Sequence, residues 1–147
     1  MVIVGAGQAG LAMSRCLSRR DIDHVLLERV EVASAWIHQR WDSLRLLTPN
    51  WMTRLPGADP FDGPIDGFAT ASDVAVHLRN YASTIGAPVI GGCAVERIEP
   101  DGFGWRMSTS AGAFGARAVV LATGSGTTPR IPAAATALSA ALHTMGA

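Results

Sequence analysis

An α/β fold built on a parallel sheet is predicted by three observations. They are the β-branched run Val2-Ile3-Val4, the glycines at 5, 7 and 10 that follow it directly, and a second apolar run, His24 to Glu28, that ends on an acid. Strand, glycine turn, helix and strand fit within the roughly thirty residues that a βαβ unit takes. The 147 residues of the chain suit one domain with its own core, because single domains cluster around roughly 100 to 150 residues. One domain over 1–147 is therefore expected.

Met1 to Val4 reads as a buried strand, and a helix is expected to start at the glycines. Leu11, Met13, Ser14, Leu17 and Ser18 give it a mixed apolar face, Arg15, Arg19 and Arg20 a polar one, and Asp21 begins the exit turn. Between Val30 and Asp66 the pattern loosens. That stretch holds Pro49, Pro56, Pro60 and Pro64 with Trp36, Trp41 and Trp51, and it reads as long irregular structure. Loops of that length in a compact domain are usually functional, which makes it a candidate ligand wall.

Thr70-Ala71-Ser72-Asp73 reads as a helix start, with hydroxyl side chains able to cap free N–H groups, ahead of Val74, Leu78, Tyr81 and Ala82 at helical spacing. Gly86 is expected to end that helix. Pro88 to Ile90 and Ala94 to Ile98 are strand-like, and Trp105 to Thr109 with Phe114 to Leu121 suggest a β-hairpin around Gly112. The hairpin leads into Val119 to Gly124, an apolar strand that breaks at a glycine, and the alanine-rich stretch after Pro132 has the composition of a short helix.

Charge and composition exclude several classes. Twelve basic residues balance twelve acidic ones, so no basic patch for a nucleic-acid backbone is expected. No run approaches the roughly twenty apolar residues of a membrane span. With no signal-like segment after Met1, a soluble, cytoplasmic protein is expected. Cys16 and Cys93 form no C-x-x-C pair and stand near no cluster of histidines, so both are expected to be buried apolar residues, with no metal site. His24, His38, His77 and His143 show no partner at a fixed spacing, and no catalytic base is assigned.

The chemistry-bearing motif is Gly5-x-Gly7-x-x-Gly10, with Glu28 eighteen residues beyond its last glycine. Gly5 permits a sharp turn, Gly7 leaves room for the backbone to approach a pyrophosphate, and Gly10 lets helix and strand pack closely. The free N–H groups and positive dipole end of the helix attract phosphate. Glu28 is placed to accept hydrogen bonds from the ribose hydroxyls of an adenosine. A Rossmann-like dinucleotide-binding unit follows from this context.

Residues alone do not choose between FAD and NAD. Val2 to Ala12 with Leu27-Glu28-Arg29 resembles the FAD fingerprint of flavoproteins that bind two dinucleotides. Ser34-Ala35-Trp36, Arg40-Trp41-Asp42-Ser43-Leu44-Arg45-Leu46-Leu47-Thr48-Pro49-Asn50 and Leu55-Pro56-Gly57 resemble bacterial flavin-containing monooxygenases and the plant enzymes that make auxin. The likeness continues through Val119 to Gly124 and Pro129 to Pro132. It implies that Gly5, Gly7, Gln8, Ala9 and Gly10 surround the FAD pyrophosphate, and that Glu28 and Arg29 hold the adenosine part. It also implies that Trp36, Arg40 and Trp41 approach the pyrophosphate and ribityl region, with Leu47, Thr48 and Asn50 near the flavin ring. Val95 would meet the adenine through its backbone, and Ala122, Thr123 and Gly124 would pass close to the cofactor. For the tryptophans, packing in the core remains the alternative.

The resemblance further implies an oxidoreductase in which NADPH reduces the flavin and oxygen is inserted into a small-molecule substrate through a flavin hydroperoxide. Neither the substrate nor an oligomeric state is specified by these residues. The chain departs from the family in carrying no second G-x-G-x-x-G, because Gly91-Gly92 and Gly102-Phe103-Gly104 open no helix after a strand. Val30 to Ala33 also stands where relatives often carry a glycine after the Glu-Arg pair. The expectation is thus an incomplete FAD-binding domain without its NADPH domain. A non-catalytic dinucleotide-binding module or degenerate fragment is the alternative, and the missing C-x-x-C disfavours a disulfide reductase.

Overall fold

The computed structural model describes residues 1–58 and 61–124. The expected alanine-rich helix after Pro132, and the likeness at Pro129 to Pro132, lie outside the described residues.

The predicted βαβ unit forms as strand β1 (Val2–Val4), helix α1 (Gln8–Ser18) and strand β2 (Val25–Leu27). β1 pairs in parallel with β2, with Ile3 opposite Leu26, and on its other side with β7 (Val119–Leu121), with Ile3 opposite Val120. β3 (Val89–Ile90) extends the sheet on the far side of β2, giving the order β3-β2-β1-β7. The chain runs outward from β1 through β2 to β3 on one side, and β7, reached through later elements, pairs on the other, so the strand order reverses at β1. In open parallel sheets ligands bind beyond the strands' carboxyl ends at such a switch point.

Burial follows from apolar runs that must be covered on both faces. Ile3, Leu11 and Leu26 are fully buried and, with Val74, Leu78 and Tyr81 of helix α3 (Ala71–Thr84), make the core on one face. Val2, Val4 and Leu27 face the other way and are covered by Cys93 and Met107. Met107 lies in an antiparallel meander of β4 (Val95–Asp101), β5 (Gly104–Thr109) and β6 (Gly112–Ala116), where it stands opposite Ile98 and Phe114. The sequence reads Phe114 to Leu121 as one run. The chain instead leaves the meander after Ala116 and re-enters the parallel sheet at Val119.

The entry to α3 bears out the expected cap. The Asp73 N–H donates to Thr70 Oγ1 at 3.1 Å, and the Asp73 carboxylate accepts the Thr70 N–H at 2.8 Å and its hydroxyl at 2.7 Å. These bonds, the backbone one first, hold the Asp73 carboxyl below its ordinary range. The stability they add is present above the unfolded-state value and is lost as pH falls through the lower folded one. Thr70→Ala should destabilise the fold by about 1 kcal/mol, read as a lower urea midpoint at neutral pH with unchanged slope. An unshifted midpoint would show that the cap contributes nothing.

Between β2 and α3 the structure adds an element that the sequence did not signal. The short helix α2 (Ser34–His38) follows Ala33, which is in the left-handed conformation at φ 63° and supplies no side-chain cap. Among its described residues the remainder of the stretch is irregular apart from a 3-10 turn at Asn50–Met52 and a bridge between Arg45 and Thr70. No helix among the described residues is long and apolar enough to cross a membrane.

Candidate cofactor site

The glycine turn is built by close backbone approach. The Gly5 N–H donates to the Leu27 carbonyl at 2.8 Å, and the Ala122 N–H donates to Val4 at 2.9 Å. Gly5 has φ 106°, and a Cβ there would lie 2.5 Å from the Ala122 carbonyl oxygen. A Cβ on Gly10 would lie 2.0 Å from the Gly5 oxygen, a separation that no packing adjustment absorbs. Gly7 differs from both. A Cβ there would meet nothing within 4 Å, because Gly7 borders an open cavity.

That cavity has a volume of about 730 Å³, within the roughly 300 to 1,000 Å³ typical of ligand sites. It lies over the carboxyl ends of β1, β2 and β7, where Val4, Leu27 and Leu121 border it. Gly7 is the N-cap of α1 and brings no side-chain acceptor to the first helical turn. The N–H groups of that turn are thus available to an anion, and the helix dipole favours one.

Glu28 stands on the rim, half-buried, where its Oε2 accepts the Ala6 N–H at 2.7 Å and its Oε1 the Val30 N–H at 3.2 Å. A carboxylate has about four acceptor positions, so both oxygens keep capacity for ligand hydroxyls. Cys93, Ala94 and Val95 form the wall beside it, tied by the Cys93 N–H donating to the Glu28 carbonyl at 2.9 Å. Another part of the lining comes from α2 and its exit. Trp36 belongs to it, and the Arg40 guanidinium sits 5.2 Å from the centre of the Trp36 ring, which places a cation at an aromatic face.

Of the residues named from the sequence, the cavity brings together Gly5, Gly7, Gln8, Ala9, Glu28, Arg29, Trp36, Arg40, Val95, Ala122, Thr123 and Gly124. Gly10 is buried behind it, under Gly5. Trp41 and Thr48 are exposed away from it. Asn50 is buried elsewhere, its amide donating to the Pro64 carbonyl at 3.0 Å. Leu47 is 97% exposed. Ser34, Gln39 and Cys93 also line the cavity and were not named as cofactor contacts from the sequence. Ser34 and Gln39 belong to α2 and its C-cap, which carry no periodic signal.

His143 lies outside the described residues; the other three histidines have neighbours that no fixed spacing signals. His24 Nε2 meets the fully buried Ser14 hydroxyl at 2.8 Å, and His38 meets the Glu31 carboxylate at 3.2 Å. Arg79 of α3 also pairs with Glu31, and these two bonds, Arg79 first, hold the Glu31 carboxyl below its usual range. His77 stacks on Phe61 at 4.3 Å between ring centres, and burial pushes its pKa down against the opposing charge of Asp62. None of these three lines the cavity. Cys93 is fully buried, as expected, but Cys16 is partly exposed; neither forms a disulfide.

The comparison with known families decides the assignment. The model of the pyridine nucleotide-disulphide oxidoreductase family matches residues 2–145. The chain belongs to that family. Within it, the chain is 32% identical over 140 residues to an uncharacterized CzcO-like oxidoreductase of Geobacillus kaustophilus, covering 95% of this chain and 40% of the relative. It is 34% identical over 135 residues to the indole-3-pyruvate monooxygenase YUCCA1 of Oryza sativa, covering 89% of this chain and 33% of that protein. The flavin-containing monooxygenase from Stenotrophomonas maltophilia superimposes with a TM-score of 0.77 at 29% identity, over 89% of this chain and 40% of that one. The chain therefore spans about 40% or less of the length of these pyridine nucleotide-disulphide oxidoreductase relatives. The resemblance to flavin monooxygenases read from the sequence is borne out.

Proposed function

We propose that residues 1–147 act as the FAD-binding domain of an NADPH-dependent flavin monooxygenase. The observation that carries this reading is the cavity bounded by the Gly7 turn and Glu28. Its glycine is open exactly where a pyrophosphate needs the backbone, and its rim holds the acid that a ribose needs. The residues present fit the cofactor. The α1 first-turn N–H groups would hold the pyrophosphate, and Glu28 would accept the adenosine ribose hydroxyls while repelling a 2′-phosphate. Arg40, held against Trp36, supplies a positive charge for the phosphates.

Bound FAD would supply the redox chemistry, taking electrons from NADPH and passing them to oxygen. The protein's own part is orientation. The wall from Cys93 to Val95 would flank the adenine, and Ala122 to Gly124 would lie along the cofactor. The substrate would be a small molecule, as in the monooxygenase relatives.

The 147-residue chain carries one phosphate-binding glycine turn, and FAD occupies it in this reading. Holding a nicotinamide against a flavin can lower a barrier by about 7 to 11 kcal/mol, and the sequence given holds no second G-x-G-x-x-G to do so. FAD-loaded chain mixed anaerobically with NADPH in a stopped-flow instrument should therefore show no rapid loss of flavin absorbance. Fast bleaching that saturates with NADPH would reveal a nicotinamide site within these residues and overturn this division of labour.

A further inference from the structure

Four buried side-chain polar atoms among the described residues have no hydrogen-bond partner: Arg15 Nε, Gln39 Oε1, Asn50 Oδ1 and His77 Nε2. Only Gln39 among these four residues borders the cavity. A buried acceptor without a donor costs about 1 to 3 kcal/mol, so the Gln39 oxygen is set where a ligand donor would recover that cost. Its backbone is fixed by the Gln39 N–H donating to Ala35 at 3.2 Å and by Arg40 Nη1 donating to the Gln39 carbonyl at 3.3 Å. The side chain is therefore carried by a closed turn.

The position of that turn says which part of a ligand it meets. Glu28, Cys93 and Val95 line the cavity together, with the Cys93 N–H bonded to the Glu28 carbonyl, and Leu27, Cys93 and Val95 belong to the apolar cluster beneath the meander. Trp36, Ala33 and Ala122 belong to the cluster on the other face of the sheet. Gln39 is the C-cap of α2, the helix that carries Trp36, so it belongs with the Trp36 side of the cavity and not with the cluster of Leu27, Cys93 and Val95 beside Glu28.

We propose that Gln39 is a further cofactor-binding residue, whose side-chain oxygen accepts a hydrogen bond from a hydroxyl of the polyol chain on the flavin side of the pyrophosphate. This rests on the reading of the cavity as an FAD site. It makes Gln39 a group that favours a dinucleotide with a hydroxylated chain beyond its phosphates over adenosine diphosphate alone.

The test compares FAD and ADP binding to wild type and to Gln39→Met, which keeps the length of the side chain and removes the acceptor. FAD affinity should fall about tenfold, the value of one buried hydrogen bond, while ADP affinity stays at the wild-type level. Retained ADP binding also shows that the variant is folded. Should Gln39→Met lose its circular-dichroism signature, Gln39→Glu, which keeps an acceptor, is compared with Gln39→Leu for the same FAD-to-ADP ratio. Unchanged FAD affinity, or equal losses for both ligands in a folded variant, would overturn the assignment. A folded wild-type chain that binds neither ligand would remove the FAD reading and the Gln39 assignment with it.

Discussion

Gly7→Val should leave the chain folded and abolish FAD binding, whereas Gly10→Val should prevent it from folding. Both glycines belong to one motif, and the structure separates their work. The position of a Cβ on Gly7 meets nothing within 4 Å, so the branch point of a valine there clears the protein and its methyls enter the space in which a pyrophosphate meets the helix N-terminus. A Cβ on Gly10 would stand 2.0 Å from a backbone oxygen of Gly5. Relief requires α1 to move off β1, which opens the core at Ile3 and Leu11. Overpacking of that kind costs about 1 to 3 kcal/mol where side chains can yield, and here the obstacle is backbone. Circular dichroism with flavin fluorescence reads both outcomes. A Gly7→Val chain that retains wild-type FAD affinity would reduce the glycine motif to a structural turn.

Glu28→Lys should weaken FAD binding at least tenfold. Hydrogen bonds to a charged group contribute about 1.5 to 3 kcal/mol, and tenfold corresponds to about 1.4 kcal/mol. The substitution also takes the acceptor from the Ala6 N–H, so the turn that positions Gly7 loses a support. Glu28→Gln separates the two effects, because its amide oxygen can still accept from Ala6 while the charge toward the ribose is gone. Isothermal titration should give the order wild type, Gln, Lys in falling affinity. Equal dissociation constants for all three would refute the role of Glu28.

The elements most legible in the sequence are those whose signals are local. The Val2-Ile3-Val4 run, the glycine spacing and the acid at 28 lie within one βαβ unit, and Thr70 with Asp73 writes its cap into four residues. α2 was illegible because five residues give no helical period and its N-cap, Ala33, reaches a left-handed conformation without a favourable residue type. Gln39 was missed for the same reason. The boundary between β6 and β7 was blurred because the hairpin reading, Phe114 to Leu121, overlaps the following strand at Val119, although Phe114 answers to Met107 across the meander and Val120 to Ile3 in the parallel sheet. The Ser14 to His24 bond joins residues ten apart on different elements, a pairing that only the fold creates. Trp41, Thr48 and Asn50 came from resemblance alone, and the structure sets them apart from the cavity that the glycine turn and Glu28 share.

The central claim is that this cavity holds FAD through its adenosine diphosphate half. It is tested most directly by titrating FAD with the wild-type chain, following flavin fluorescence, and then adding ADP. Binding should saturate at one FAD per chain, and excess ADP should reverse it. A flat titration with folded protein, or flavin binding that ADP leaves untouched, would contradict the account.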